Sequence, residues 1–260
     1  MRKRFGGLAG ILLILAIASI SWKPVGANTP VTNSNKTFKA QELLEKYIDN
    51  IYESARLQES GLAFNVFKKA LTGFINLKNS NKLPQTSSIL TVIDFTRPSR
   101  EKRMWIVDVI GKELVLNTWV AHGVGSGKDM ATRFSDRNDS HKSSVGFYIT
   151  DNVYYGKHGR SLKLDGLDAG FNSNARSREI VVHAADYVGE STIEHLGFLG
   201  RSFGCPAVSP EVADRVINTI KDKTVMFVNG NVRHYASKYL DEEQAANFVS
   251  DSNNAYIANL

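Results

Sequence analysis

The sequence predicts an α+β protein: a helical N-terminal extension followed by a β-rich domain. Three observations carry this reading. Apolar residues recur at helical spacing as far as Phe74, the period changes to two from Ser88 onward, and an amphipathic segment from Pro210 to Lys221 separates the last strands.

The chain opens with a basic cluster, Arg2, Lys3 and Arg4, then an apolar run from Leu8 to Ile20, then the small residues Val25-Gly26-Ala27 ahead of Asn28. This order predicts a signal peptide over residues 1–27 and an exported protein, periplasmic or associated with the cell envelope. The run is shorter than the ~20 residues of a spanning helix, and Lys23 limits its extension. Cleavage is therefore expected over an uncleaved anchor, with no stable membrane insertion afterwards. No cysteine lies near the cut, which argues against a lipoprotein.

The leader carries four basic residues and no acid, so the formal charge of +6 falls to about +2 once it is removed. No basic stripe interleaved with aromatics remains, and nucleic acid is not an expected partner. Residues 28–37 are rich in Thr, Asn, Pro and Ser and read as a flexible spacer. From Phe38 to Leu57 the apolar positions Leu43, Leu44, Tyr47, Ile48, Ile51 and Tyr52 mark a first helix. Leu62, Phe64, Phe67, Ala70, Leu71 and Phe74 mark a second. The stretch from Lys78 to Gln85 reads as a linker, so spacer and helices together occupy 28–87.

Three strands follow in quick succession, Ile89 to Phe95, Met104 to Ile110 and Leu114 to Val120. Turns at Arg97-Pro98-Ser99-Arg100 and Gly111-Lys112 make them an antiparallel meander. Further strands are expected at Val145 to Thr150, Ser161 to Leu164, Glu179 to His183 and Thr224 to Val228, with Ser209 as N-cap of the intervening helix. The β-rich domain spans 88–235, and 236–260 is a polar tail.

Cys205 is the sole cysteine. In an oxidising compartment it has no intrachain disulfide partner, so it is either an inert core residue or a reactive nucleophile. Ile180, Val181 and Val182 form a strand covered on both faces, with His183 at its end and Cys205 22 residues on in a glycine-flanked turn. A thiol is mostly protonated at neutral pH, and an adjacent imidazole that accepts its proton raises the reactive fraction. Such a pair is the minimum for acyl transfer. Gly204 lets the backbone approach a reacting carbonyl, and amides around Cys205 can donate to an oxyanion, though Pro206 cannot.

Several separated blocks then occur in a familiar order. They are Ile93-Asp94-Phe95 with Pro98-Ser99, Val120-Ala121-His122-Gly123, Ser143 to Tyr148, Tyr155-Gly156-Lys157-His158-Gly159, Leu164-Asp165-Gly166-Leu167, Val181 to Val188, and Gly200-Arg201-Ser202-Phe203-Gly204-Cys205-Pro206-Ala207. Over about residues 64–230 the chain resembles the murein L,D-transpeptidase catalytic domains, in the branch with a Gly-Arg-Ser-x-Gly-Cys-Pro-Ala segment. The resemblance implies a cysteine enzyme acting on peptidoglycan stem peptides. The cysteine attacks the carbonyl between the third, diamino-acid residue and the D-amino acid in fourth position, leaving a thioester that an amine of another stem resolves into a 3→3 cross-link. Transferred by position, Cys205 is the nucleophile, His183 the base, Ala184 the carbonyl that orients it, and Gly204 with Cys205 the frame of the oxyanion site. Arg201, Ser202, Tyr187 and His122 are the expected substrate-binding residues. No cofactor is implied.

The chain departs from the better-known branch, which has Ser-His-Gly-Cys followed by an arginine. Phe203 replaces that histidine, and Pro206-Ala207 stand after the cysteine. Arg201 or Arg176 is the candidate to bind a stem carboxylate instead. An L,D-carboxypeptidase or endopeptidase, with water resolving the thioester, shares the same nucleophile and base. A non-catalytic wall-binding protein is the rival class. His195 reads as a helix end or loop residue, and His122 to Gly127 as a substrate loop with the wrong spacing for a dinucleotide fingerprint. His141, His158, Asp136, Asp139 and Asp151 are scattered through polar loops and predict no metal. Tyr148 reads as a strand aromatic, while Tyr187 fits a pocket or a strand equally. Protein partners are not legible.

Overall fold

A computed structural model describes residues 31–251, so the leader, the first residues of the spacer and the end of the tail lie outside the described residues. Helix α1 runs Val31–Ser54 and buries Ala40, Leu44, Tyr47, Ile48 and Ile51. It starts seven residues before the expected Phe38. Polar residues give no periodic signal, but extending a helix costs far less than starting one, so the amphipathic turns carry the segment with them. Helix α2, Phe64–Asn79, buries Val66, Phe67, Ala70, Leu71, Phe74, Ile75 and Leu77.

Eight strands form one sheet: β1 Ile89–Asp94, β2 Met104–Asp108, β3 Glu113–Thr118, β4 Gly146–Gly156, β5 Gly159–Gly166, β6 Val181–Ala184, β7 Ala207–Val208 and β8 Val225–Asn229. Their order across the sheet is β3-β2-β1-β8-β4-β5-β6-β7. The expected meander is present, with β2 antiparallel to both β1 and β3. The β1–β8 and β6–β7 pairs are parallel, while β4 pairs antiparallel with both β8 and β5, and β5 with β6. Ala121, just past β3, bridges Ala207 of β7, so the two edges of the sheet meet in a barrel-like closure. Strand β7 has only two residues, too few for a period-two pattern to reveal it.

The central strands are mostly apolar because both sheet faces are covered. Leu90, Val92, Trp105, Val107, Phe147, Val225 and Phe227 face α1 and α2 in one core. Their alternate neighbours Ile93, Met104, Ile106, Tyr148, Met226 and Val228 form a second core with Val216, Ile217 and Ile220 of helix α4, Pro210–Ile220. Ser209 occupies the expected N-cap position of α4, but its hydroxyl contacts Glu211 at 3.4 Å and makes no capping bond. A short helix, α3, covers Glu190–Leu196 and includes His195. Gly73 sets the distance between α2 and the sheet. A Cβ there would lie 2.0 Å from Cζ of Phe147, so the helix seats on β4 only without a side chain at that position. No break in the core coincides with residue 87, since helices and sheet share one hydrophobic cluster.

The described part of the segment expected to be a polar tail, residues 236–251, is packed. Helix α5, Glu242–Ser250, buries Ala245, Ala246 and Val249 in the core shared with α1 and α2. Asp241 caps it by accepting the Gln244 N–H at 2.9 Å. Asn76 of α2 donates to Tyr239 O at 2.9 Å and Asp241 O at 2.8 Å. Buried Asp168 accepts from Tyr235 Oη at 2.7 Å, Ser237 Oγ at 2.6 Å and the Phe147 N–H at 2.8 Å, tying the same segment to β4. The buried face of α5 is two alanines and a valine, too small for the hydrophobic pattern to stand out. No helix among the described residues is long and apolar enough to cross a membrane.

Candidate active site

Strand β6 lies between β5 and β7, and His183 sits opposite Ser161 on one side and Ala207 on the other. Only 2% of His183 is exposed. Its Nδ1 lies 2.8 Å from Ala184 O, which assigns the proton to Nδ1 and leaves Nε2 as the basic nitrogen. Burial pushes the His183 pKa below the ordinary value, the Ala184 carbonyl opposes that shift, and His158 adds to it. His158, on the exposed turn between β4 and β5, stacks on His183 with ring centroids 4.4 Å apart. The imidazole is therefore neutral, oriented and covered, as a proton acceptor requires.

Cys205 is held by the turn that precedes it. Ser202 Oγ donates to Cys205 O at 2.7 Å and accepts the Gly204 N–H at 3.0 Å. The Ser202 N–H donates to His122 O at 3.0 Å, and its carbonyl accepts from the Val124 N–H at 2.7 Å. Gly204 has φ 128°, and a Cβ there would meet Lys142 O at 2.9 Å and Ile180 Cδ1 at 3.0 Å, so the turn needs glycine. Since the Gly204 N–H is spent on Ser202 and Pro206 has none, the N–H groups of Phe203 and Cys205 are the backbone donors left open between Ser202 and Pro206 among the described residues.

The half-buried thiol rests against β6. Its Sγ accepts the Val181 N–H at 3.5 Å and its S–H points to Glu179 O at 3.6 Å. Val181 is two residues before His183, about 6.6 Å along the strand. No hydrogen bond joins Sγ to the imidazole in this state; the thiol faces the Val181 N–H and the Glu179 carbonyl. Catalytic hydrogen bonds are commonly loose without substrate. Burial raises the Cys205 pKa, opposed by the Val181 N–H and the Arg178 charge and reinforced by Glu179.

Of the residues expected to bind substrate, Tyr187 packs against Gly200, where a Cβ would lie 2.3 Å from its own. It is half-buried, with its pKa pushed up to about 12 by burial and by Cys205. Ser202 is 6% exposed and both its hydroxyl bonds serve the turn, so it is a brace instead of a groove residue. His122 is fully buried beneath that turn, Nδ1 2.7 Å from Nη2 of the equally buried Arg103. Arg201 donates to Gly127 O at 3.0 Å and lies over Phe198, facing away toward the 124–127 loop. Arg176 pairs with Asp151 at 2.6 Å and Asp165 at 2.7 Å, so its charge is already matched. The cation next to the Cys205 turn is instead Arg178, which the sequence reading missed. Nothing in sequence distinguishes an arginine paired with acids from one that is not. Asp136 accepts from Ser173 and Asn174, and His141 stacks on Phe203 with centroids 4.4 Å apart.

Fold and site together define a class: a closed mixed sheet with a cysteine turned against the strand that carries a covered, carbonyl-bound histidine. The family model described as the L,D-transpeptidase catalytic domain matches residues 58–229, and the chain belongs to that family. Among solved structures, an L,D-transpeptidase from Mycobacterium smegmatis is 11% identical with a TM-score of 0.35, over 55% of this chain and 59% of that one. An L,D-transpeptidase from Stackebrandtia nassauensis is 13% identical with a TM-score of 0.34, over 76% of this chain and 93% of that one. The helical cell shape determining protein Pgp2 from Campylobacter jejuni is 11% identical with a TM-score of 0.37, over 67% and 61%. The chain thus spans less than two thirds of the length of the mycobacterial structure. No curated protein matches it.

Proposed function

We propose that this protein is an exported cysteine L,D-transpeptidase that forms 3→3 cross-links between peptidoglycan stem peptides. One observation supports it most: the chain's single thiol lies against β6 two residues from a buried histidine whose Nδ1 is committed to Ala184 O. In this reading His183 Nε2 takes the Cys205 proton, and the thiolate attacks the carbonyl ahead of the fourth, D-amino acid. The Cys205 N–H faces the resulting oxyanion. Collapse breaks the peptide bond, and His183 returns the proton to the departing amine, leaving a thioester. An acceptor amine then loses a proton to His183 and attacks the thioester, which frees the thiol. In this reading Tyr187 contributes to substrate binding.

The test is incubation of wild-type and Cys205→Ala protein with tetrapeptide muropeptides and with sacculi, followed by mass spectrometry. Wild type is expected to yield 3→3 dimers, and the variant none. Tripeptide alone would assign the carboxypeptidase reaction. Retention on sacculi without any conversion, and without a covalent adduct to a carbapenem-type agent, would assign a wall-binding role.

A further inference from the structure

We propose that Arg178 is the charge-supplying positioning residue of this site, its guanidinium fixed behind Gly204 so that it stabilises the Cys205 thiolate. The inference deepens the proposed function and rests on its assignment of Cys205 as nucleophile. Arg178 is half-buried, and its fork is fully engaged. Nη1 donates to Ser135 O at 2.7 Å and to Ser144 Oγ, while Nη2 donates to Lys142 O at 2.6 Å and Ser140 Oγ at 3.3 Å. All four acceptors are neutral. Among the described residues no carboxylate forms an ion pair with it, whereas Arg97, Arg100 and Arg160 each hold one and Arg176 holds two. The guanidinium is thus satisfied in hydrogen bonds and unmatched in charge, and its position is set on two sides.

That position is next to the nucleophile. A Cβ on Gly204 would lie 3.3 Å from Nη2, so the guanidinium abuts the residue before Cys205. The thiol needs such help, because burial disfavours its anion and the Val181 N–H at 3.5 Å is its sole hydrogen-bond donor among the described residues. The other titratable groups around the sulfur do not replace it. Glu179 opposes ionisation, Tyr187 keeps its proton, and His183 is depressed by burial and by His158. Lys142 presents its carbonyl to Arg178, His141 stacks on Phe203, and Arg201 is bound to Gly127.

The experiment is the pH–rate profile of Cys205 alkylation by iodoacetamide in the full chain, read by intact mass, for wild type, Arg178→Gln, Arg178→Lys and Ser140→Asp. With one cysteine the signal is unambiguous. Arg178→Gln should lower the rate near neutral pH about tenfold, the order expected for one charge acting across a half-buried site, and recover the wild-type plateau at alkaline pH. Arg178→Lys should restore most of the neutral-pH rate. Ser140→Asp leaves the fork in place and matches its charge, so it should reproduce the loss even if Arg178→Gln fails to fold. Equal loss at every pH, or wild-type profiles in both Arg178→Gln and Ser140→Asp, would overturn the proposal. Alkylation needs no peptide substrate, so the outcome stands whether or not 3→3 dimers form.

Discussion

Acid should weaken this fold through one histidine. His122 is fully buried, and burial together with the Arg103 charge holds its pKa down at about 4. An unfolded chain returns it to about 6.5. Between these values the unfolded state binds a proton that the folded state refuses, so stability is whole above the upper value and falls as pH drops toward the lower one. The gap of 2.5 units corresponds to about 3.4 kcal/mol in full, of which about 2.5 kcal/mol is lost between pH 7.5 and pH 4.5. His122→Gln keeps an acceptor for Arg103 and cannot titrate. Urea unfolding of both proteins across that range should give a variant somewhat less stable at pH 7.5 but flatter by about 2.5 kcal/mol. Since other groups titrate equally in both proteins, parallel slopes would refute the reasoning.

Gly73→Ala places a methyl group 2.0 Å from Cζ of Phe147 in a packed interface. It should lower stability by about 1–3 kcal/mol despite the better helix propensity of alanine; an unchanged or higher Tm would show that α2 can shift freely on the sheet. His158→Phe keeps a ring over His183 and removes its charge, so the His183 pKa should rise. Acylation by a carbapenem-type agent should then lose rate on the acid side of its pH profile and keep it on the alkaline side, where the His183 ring is neutral in both proteins. An acid limb at the wild-type position would contradict this coupling.

Much of the scaffold was legible because its central strands are covered on both sides, which leaves runs such as Leu90 to Ile93 and Val225 to Val228 nearly free of polar residues. The meander turns were equally plain. What stayed hidden depends on contacts between distant segments. The alanines of α5 carry no hydrophobic signature alone, and β7 exists only because Ala207 finds both β6 and Ala121. In the candidate site, Cys205 and His183 could be singled out by residue type and setting. Three arginines of identical chemistry could not be ranked, because the folded chain gives Arg176 two acids, turns Arg201 toward Gly127 and leaves Arg178 behind Gly204. Likewise, Ser202 shares a motif with Cys205 and His122 lies in a separate block, yet Ser202 Oγ and the His122 carbonyl both hold the Cys205 turn.

The arch from Ser202 to Ala207 is anchored at each foot, by the Gly123–Ser202 bridge and by the Ala121–Ala207 bridge on the same neighbouring segment. Its span is therefore fixed by the strand beneath it. Adding or deleting one residue there cannot be absorbed as slack, and would carry the sulfur out of register with its strand. Phe203, 70% exposed near the crown, carries no such constraint. Length is the property this segment cannot change, while the outward side chain at its summit touches the ring of His141.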